Sequence, residues 1–175
     1  MKQFLFIILS LFILVSIVNA QEQFFEIKSS EGKTLQLPVT DAGPVPFENE
    51  IAKIEMAGFG ITLQDNKFLL YWIFGLKSKI DTKLNSVRVF DVTPGSGTIL
   101  LVGDDSPNLV KNYWKKSLTP NEINKDNFPW LFEKGTTIKL FKFTLQFKDK
   151  EIELYQLAWY SQQVKEKLLY HIDVR

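Results

Sequence analysis

Residues 141–147, Phe-Lys-Phe-Thr-Leu-Gln-Phe, alternate strictly between apolar and polar side chains. Because successive side chains of a strand point to opposite faces, this alternation predicts a strand with one buried face. We expect a two-residue loop, Asp149-Lys150, that returns the chain as a hairpin and pairs Phe147 with Ile152. Upstream, the apolar residues Ile138 and Leu140 fall at the positions that would point to the polar face of this strand. A β-bulge near Leu140 would bring them to the apolar face.

Three similar apolar runs with turn residues between them precede this hairpin. In the second of them, the loop Asp65-Asn66 consists of residue types that tolerate the positive φ of a tight hairpin. In the third, we expect Val92 to face Ile99 across the loop Pro94-Gly95-Ser96-Gly97. The predicted hairpins join Phe24–Lys28 to Thr34–Val39, Ile54–Leu63 to Phe68–Leu76, and Val87–Thr93 to Thr98–Gly103.

Two helices are predicted between the third and fourth hairpins, over about residues 106–132. Pro107 follows Ser106 as a first helical residue would follow its N-cap. The run Thr119-Pro120-Asn121-Glu122 has the form of a capping box for a second short helix. The apolar residues of the first helix follow a spacing near 3.6 and are Leu109, Val110, Tyr113, Trp114 and Leu118.

The C-terminal segment carries two competing patterns. Leu168, Tyr170, Ile172 and Val174 alternate as in a last strand over Lys167–Val174, and a helix over Gln162–Leu169 is the alternative. Taken together, the patterns predict a mainly β protein of about nine strands, built from consecutive antiparallel hairpins with a short two-helix insertion. Either a sandwich or a small barrel satisfies these patterns.

The N-terminus has the pattern of a cleaved signal peptide. Lys2 precedes the apolar run Phe4–Val18, and Val18-Asn19-Ala20 places short residues around a cut after Ala20. A permanent membrane anchor is the alternative, but the run is shorter than the roughly 20 residues that span a bilayer. We therefore expect a signal peptide at 1–20, a single exported domain at 21–175, and a bacterial periplasmic or secreted location.

Charge and cysteine content exclude several classes of function. Only Lys2 of the 21 Lys and Arg residues and none of the 20 Asp and Glu residues lie in the first 20 positions, so residues 21–175 carry no net formal charge. This balance argues against a nucleic-acid-binding protein and against a polybasic membrane-surface protein. The absence of cysteine excludes lipid attachment at a cysteine, disulfides, thiolate metal sites and thiol catalysis.

No motif of catalytic or metal chemistry is present. The single histidine, His171, has no Gly-x-Ser-x-Gly partner motif and is expected on the polar side of the last strand. The pair Asp104-Asp105 lacks the spaced oxygen ligands of a calcium loop and would instead favour the N-terminus of the predicted helix. The loop containing Gly95-Ser96-Gly97 joins two strands and lacks the lysine of a phosphate-binding loop. We predict no catalytic residue, metal or cofactor.

The remaining signal is aromatic. Residues 68–76, Phe-Leu-Leu-Tyr-Trp-Ile-Phe-Gly-Leu, place apolar side chains on both faces of the predicted strand. Another part of the protein or a partner must therefore cover the second face. We expect the helical insertion to provide it and to frame a site for a partner protein or a small apolar ligand. The candidate binding residues are Trp72, Tyr113, Trp114, Trp130 and Phe132. A hydrolase whose carboxylates converge only in the fold is the alternative function.

Overall fold

The computed structural model describes residues 23–173, in which eleven strands and two helices form. The predicted signal peptide and Val174 lie outside these residues. The elements are β1 (Gln23–Lys28), β2 (Thr34–Thr40), β3 (Gly43–Pro44), β4 (Ala52–Gln64), β5 (Lys67–Ser78), β6 (Leu84–Asp91), β7 (Ile99–Asp104), β8 (Tyr113–Ser117), β9 (Asn121–Glu122), α1 (Pro129–Phe132), β10 (Thr137–Phe147), β11 (Glu151–Tyr160) and α2 (Gln162–Asp173).

The strands form three antiparallel sheets. The first has the order β1-β2-β3, the second β11-β10-β6-β7, and the third β4-β5-β8 with β9 also pairing with β5. The predicted mainly β architecture is confirmed, and the sheets form a sandwich and no closed barrel. No helix within residues 23–173 is long and apolar enough to cross a membrane.

The second sheet is the middle layer, because it buries side chains on both faces. Phe141 and Phe143 of β10 pack with Phe74 and Leu76 of the third sheet in the main core cluster. Leu140, on the other face of β10, packs against residues of the first sheet, including Leu37. At roughly 1.5–3 kcal/mol for each large apolar side chain buried, these two clusters account for much of the stabilisation of the fold.

This two-sided burial corrects the predicted bulge near Leu140. The pairing of β10 with β11 is regular from Thr137 to Gln146, and both Leu140 and Phe141 are fully buried. Leu140 and Phe141 therefore lie on opposite faces of β10, and both faces are covered. The first hairpin covers the face that carries Leu140. The only register shift of β10 occurs between Gln146 and Phe147, against β6.

The four predicted hairpins all form, but two have different registers. The first two pair as expected, and Asp65 and Asn66 adopt φ values of 49° and 61°. In the third, Asp91 faces Ile99, because Val92 donates its N–H to the Leu140 carbonyl instead. The fourth pairs Leu145, not Phe147, with Ile152. A hydrogen bond from the Phe147 N–H to the Lys150 carbonyl closes its loop.

The predicted helical insertion is present as the short helix α1, but most of residues 106–132 forms strands and turns and not two helices. The segment that was expected to form the first helix ends in β8, where Tyr113–Ser117 pair with β5. Lys111 and Asn112 have φ values of 53° and 64°, and hydrogen bonds in both directions between Val110 and Tyr113 close a two-residue turn around them. Consecutive residues at positive φ end a helix, so the segment reverses instead. The predicted second helix contains β9, and α1 is the one helical element of the insertion.

The C-terminal segment is helical, so the predicted last strand is wrong and the alternative is correct. The Ser161 side chain accepts the Val164 N–H at 3.3 Å and caps the start of α2. Lys165 is 1% exposed, and its ammonium donates to the carbonyls of Trp130 at 3.1 Å and Glu133 at 2.8 Å and to Thr137 Oγ1 at 2.8 Å. These bonds fasten α2 to the end of α1 and to β10. His171 therefore lies on a helix and not on a strand.

Candidate functional site

Two of the five predicted binding residues come together. The rings of Trp72 and Trp130 stack with centroids 5.9 Å apart and an interplanar angle of 29°. Phe59 lies 5.8 Å and Tyr160 lies 5.2 Å from the Trp130 ring. Trp72 also meets the core residue Phe141 edge-on. This aromatic cluster (Phe59, Trp72, Trp130 and Tyr160) therefore closes one end of the space between the second and third sheets, with its rings packed largely on one another.

The aromatic cluster contains a buried polar atom. The Tyr160 hydroxyl has no hydrogen-bond partner within residues 23–173, and it lies 3.7 Å from the position a Cβ would take at Gly58. Burial raises the pKa of Tyr160 far above its ordinary value, because the charged phenolate would be left without water. The hydroxyl is thus held in its neutral form.

The groove beside Trp130 is more polar than the predicted aromatic gap. It has a volume of about 400 Å³, and Pro129 and Trp130 form one wall. Glu133, Lys134 and Lys139 line it together with several threonines. Trp130 is its one aromatic lining residue.

Trp114 and Phe132 lie apart from this groove. Trp114 is 1% exposed in the main core, where its Nε1 donates to Asp104 Oδ2 at 3.0 Å. The Asp104 carboxylate also accepts the Ser106 N–H at 3.3 Å in a turn, so its predicted role at a helix N-terminus is wrong. Phe132, the last residue of α1, is 37% exposed and belongs to none of the buried clusters.

Tyr113 lies on the side of the third sheet that faces away from the core. Cross-strand pairing places it on the same face as Tyr71 and Ile73 of β5, and all three are half-buried. None of the buried clusters includes these side chains, so within residues 23–173 this side packs against no core. The predicted helical cover is absent because β8 extends the sheet beside β5 and does not cross it. We call this surface the tyrosine face, defined by Tyr71, Ile73, Tyr113, Gly60 and Gly75.

Glycines make room for the two tyrosines. A Cβ at Gly60 would lie 2.6 Å from Cζ and 2.7 Å from Oη of Tyr71. A Cβ at Gly75 would lie 2.6 Å from Oη of Tyr113. The phenol end of each tyrosine therefore leans over a glycine of the neighbouring strand. Neither hydroxyl has a hydrogen-bond partner in the described part of the chain, and neither is buried.

Sequence reasoning missed Tyr71 as a candidate, although a signal was present. Glycine in the interior of a strand marks a close approach by another group. Gly60 on β4 and Gly75 on β5 are such positions, and they fall on one face once the hairpin register is known. The pairing of Gly60 with Tyr71 follows from the register that the Asp65-Asn66 loop predicts.

Lysines surround the tyrosine face. Lys53 and Lys67 are paired with Glu55 at 3.5 Å and Glu122 at 2.8 Å. Lys77 on β5 and Lys115 on β8 are exposed and form no salt bridge within residues 23–173. The border of this apolar surface is therefore positive.

Two carboxylates do converge elsewhere, at the ammonium of Lys142. Glu31 is bound directly and Glu153 lies 3.7 Å away. A hydrogen bond from Lys33, at 3.0 Å, lowers the pKa of Glu153 despite some desolvation. A general acid needs a raised pKa, so this carboxylate is poorly suited to that role at neutral pH. No group of three or more His, Asp or Glu residues that could hold a metal occurs in the described chain.

Comparison with known proteins adds no further constraint on the site. The chain matches no protein-family model, no curated protein and no solved structure.

Proposed function

We propose that this chain is an exported, non-catalytic binding domain that recognises a partner protein through the tyrosine face. The observation that carries the proposal is the pair of tyrosines whose phenol ends lean over Gly60 and Gly75 on an uncovered side of the sheet. Tyrosine is enriched at the centres of protein interfaces, because it offers a large apolar ring and a hydroxyl at low entropic cost. The signal-peptide pattern of residues 1–20 supports the exported location.

The shape of the face favours a protein over a small apolar ligand. Small ligands bind in concave sites that bury most of their surface, whereas this surface is one side of a three-stranded sheet. From Leu69 to Lys77 and across three strands, the sheet measures about 27 Å by about 14 Å, roughly 400 Å². A standard interface buries about 800 Å² on each partner, so the face supplies about half of one side. We therefore expect a transient complex.

The chemistry of the face describes its partner. Tyr71 and Ile73 require an apolar patch, and the two free hydroxyls can donate to carbonyl or carboxylate oxygens. The exposed ammonium groups of Lys77 and Lys115 favour a partner with acidic residues around that patch. Binding should therefore weaken as salt concentration rises.

Substitution of the glycines tests the face without removing either tyrosine. In Gly60→Ala, the new methyl group would lie 2.6 Å from Tyr71 Cζ, so the phenol must move away. Gly58→Ala is the matched control, because its methyl group would meet only the Tyr160 hydroxyl at 3.7 Å, an ordinary contact. Both changes should alter the free energy of unfolding by no more than about 1 kcal/mol.

The readout is recovery of proteins from the native cell envelope on the immobilised chain. We expect at least one protein to be retained by the wild type and by Gly58→Ala, and to be reduced about tenfold or more with Gly60→Ala, a loss of about 1.4 kcal/mol. Equal retention by all three chains, with unchanged melting temperatures, would contradict the proposal.

A further inference from the structure

The outer strand β7 leaves one edge of the second sheet open. It pairs with β6 on one side, and no backbone hydrogen bond joins its other side to any residue within 23–173. Its first two residues, Ile99 and Leu100, are 48% and 54% exposed. An unpaired row of N–H and C=O groups beside apolar side chains is a template for another strand.

What distinguishes this edge is its lack of charge. No Asp, Glu, Lys, Arg or His occurs from Val92 to Gly103, a run that includes all of β7 except Asp104. Proteins usually protect free edges with charged side chains. Four other outer strands follow that rule: they contain Glu26 and Lys28 in β1, Lys53 and Glu55 in β4, Lys115 and Lys116 in β8, and Glu151 and Glu153 in β11. The remaining one, β3, has only two residues and contains Pro44.

We propose that β7 pairs with β7 of a second copy of this chain, antiparallel about a two-fold axis. The absence of charge on β7 favours this occupant. When identical strands pair about such an axis, each residue near the axis faces itself or a close neighbour, so a charged edge would oppose like charges. The neutral run of β7 avoids this cost. Asp104, the first charge beyond it, is already bound by the Trp114 Nε1 at 3.0 Å and lies 3.9 Å from the ammonium of Lys116.

The geometry limits the assembly to a weak dimer. Leu101 has no partner in β6, because a bulge separates the pair Phe90 and Leu100 from the pair Val89 and Val102. The bulge interrupts the ladder and shortens the interface, so the buried area falls below that of a stable complex. Pairing uses the open edge of both copies, which closes the assembly at two. The tyrosine face belongs to the third sheet and stays free in this dimer.

Sedimentation equilibrium of the chain from Gln21 onward tests the dimer over about 5 to 500 µM protein. We expect the apparent mass to rise towards that of a dimer across this range. Leu100→Lys should raise the dissociation constant about tenfold or more, because it places like charges near the two-fold axis. Leu63→Lys is the matched control, since Leu63 is 50% exposed on β4 and should leave dimerisation unchanged.

Hydrogen exchange provides a second measurement that needs no variant. Amides of β7 should become more protected as the wild-type concentration rises, while those of β1 should not. A wild-type chain that stays monomeric throughout the range would overturn the proposal. A dimer that persists in a folded Leu100→Lys variant, or that leaves the β7 amides unprotected, would overturn it equally.

Discussion

Trp114→Ala should lower the free energy of unfolding by about 3–5 kcal/mol, as removal of a buried tryptophan side chain does. Trp114 is 1% exposed, lies opposite Leu76 in the pairing of β8 with β5, and is part of the main core cluster. Its indole N–H also donates a hydrogen bond to Asp104 Oδ2 at 3.0 Å. The alanine variant therefore loses packing and leaves a largely buried carboxylate oxygen with one hydrogen bond fewer.

Trp114→Phe separates these two contributions. Phenylalanine retains most of the apolar surface but cannot donate to Asp104, so the expected loss is about 1–3 kcal/mol. For a chain of this size, 1 kcal/mol corresponds to about 2–4 °C in melting temperature, so the alanine variant should melt about 6–20 °C below the wild type. Urea unfolding followed by far-UV circular dichroism measures both losses. A loss below about 1 kcal/mol for Trp114→Ala would refute the placement of β8 against the core.

Three further outcomes are expected. Burial, together with the hydrogen bond to a carboxylate, raises the pKa of Tyr155 from an ordinary 10.0 to about 12. As pH rises, the unfolded chain therefore releases this proton before the folded chain does, so the free energy of unfolding should fall between pH 10 and about 12. The fall should be less steep in Tyr155→Phe, and urea unfolding at each pH measures it. Lys165→Met should cost about 1–3 kcal/mol, because the Glu133 carbonyl loses its donor, while Trp130 and Thr137 keep only the hydrogen bond from the Thr137 hydroxyl to the Trp130 carbonyl. Amide exchange should also accelerate in α2. Mass spectrometry of the protein from the native envelope should find Gln21 at the N-terminus, whereas intact residues 1–20 would contradict cleavage after Ala20.

The hairpins could be predicted because their turns are determined by local chemistry. Asp65 and Asn66 tolerate positive φ, and a two-residue loop of this kind sets the register of both strands. The third hairpin has a register different from the expected one because distant segments bind the backbone groups beside its loop. Val92, for example, bonds to Leu140 and Ser30 instead of Ile99.

The insertion could not be predicted because its helical spacing is accidental. Leu109 and Trp114 lie on either side of a tight turn at Lys111-Asn112, and β8 forms because β5 offers a free edge. A second two-residue turn, with Asn at its second position, was therefore present in the sequence, but the apolar spacing concealed it. In the same way, α2 was obscured because Lys165, a charged residue, occupies a buried position of the helix.

The candidate site depends on contacts between strands, which limits what one sequence can predict. The five aromatic residues selected from the sequence separate into the aromatic cluster, the core, the tyrosine face and the exposed end of α1. Only the register of β4 against β5 places Gly60 beneath Tyr71. The tyrosine face therefore became visible only once three strands were assembled.

Site-specific photo-crosslinking in the native envelope tests the proposed function most directly. A photoreactive phenylalanine analogue replaces Tyr113 in one chain and Phe24 in a matched control; Phe24 is an aromatic residue of β1 that is 63% exposed and distant in the sheet order. If the tyrosine face binds a partner protein, position 113 should give a discrete adduct. This adduct should disappear when Gly75→Ala is added, because the new methyl group would lie 2.6 Å from the position of the Tyr113 hydroxyl. No adduct at position 113, or the same adduct from position 24, would contradict a partner-binding role for this face.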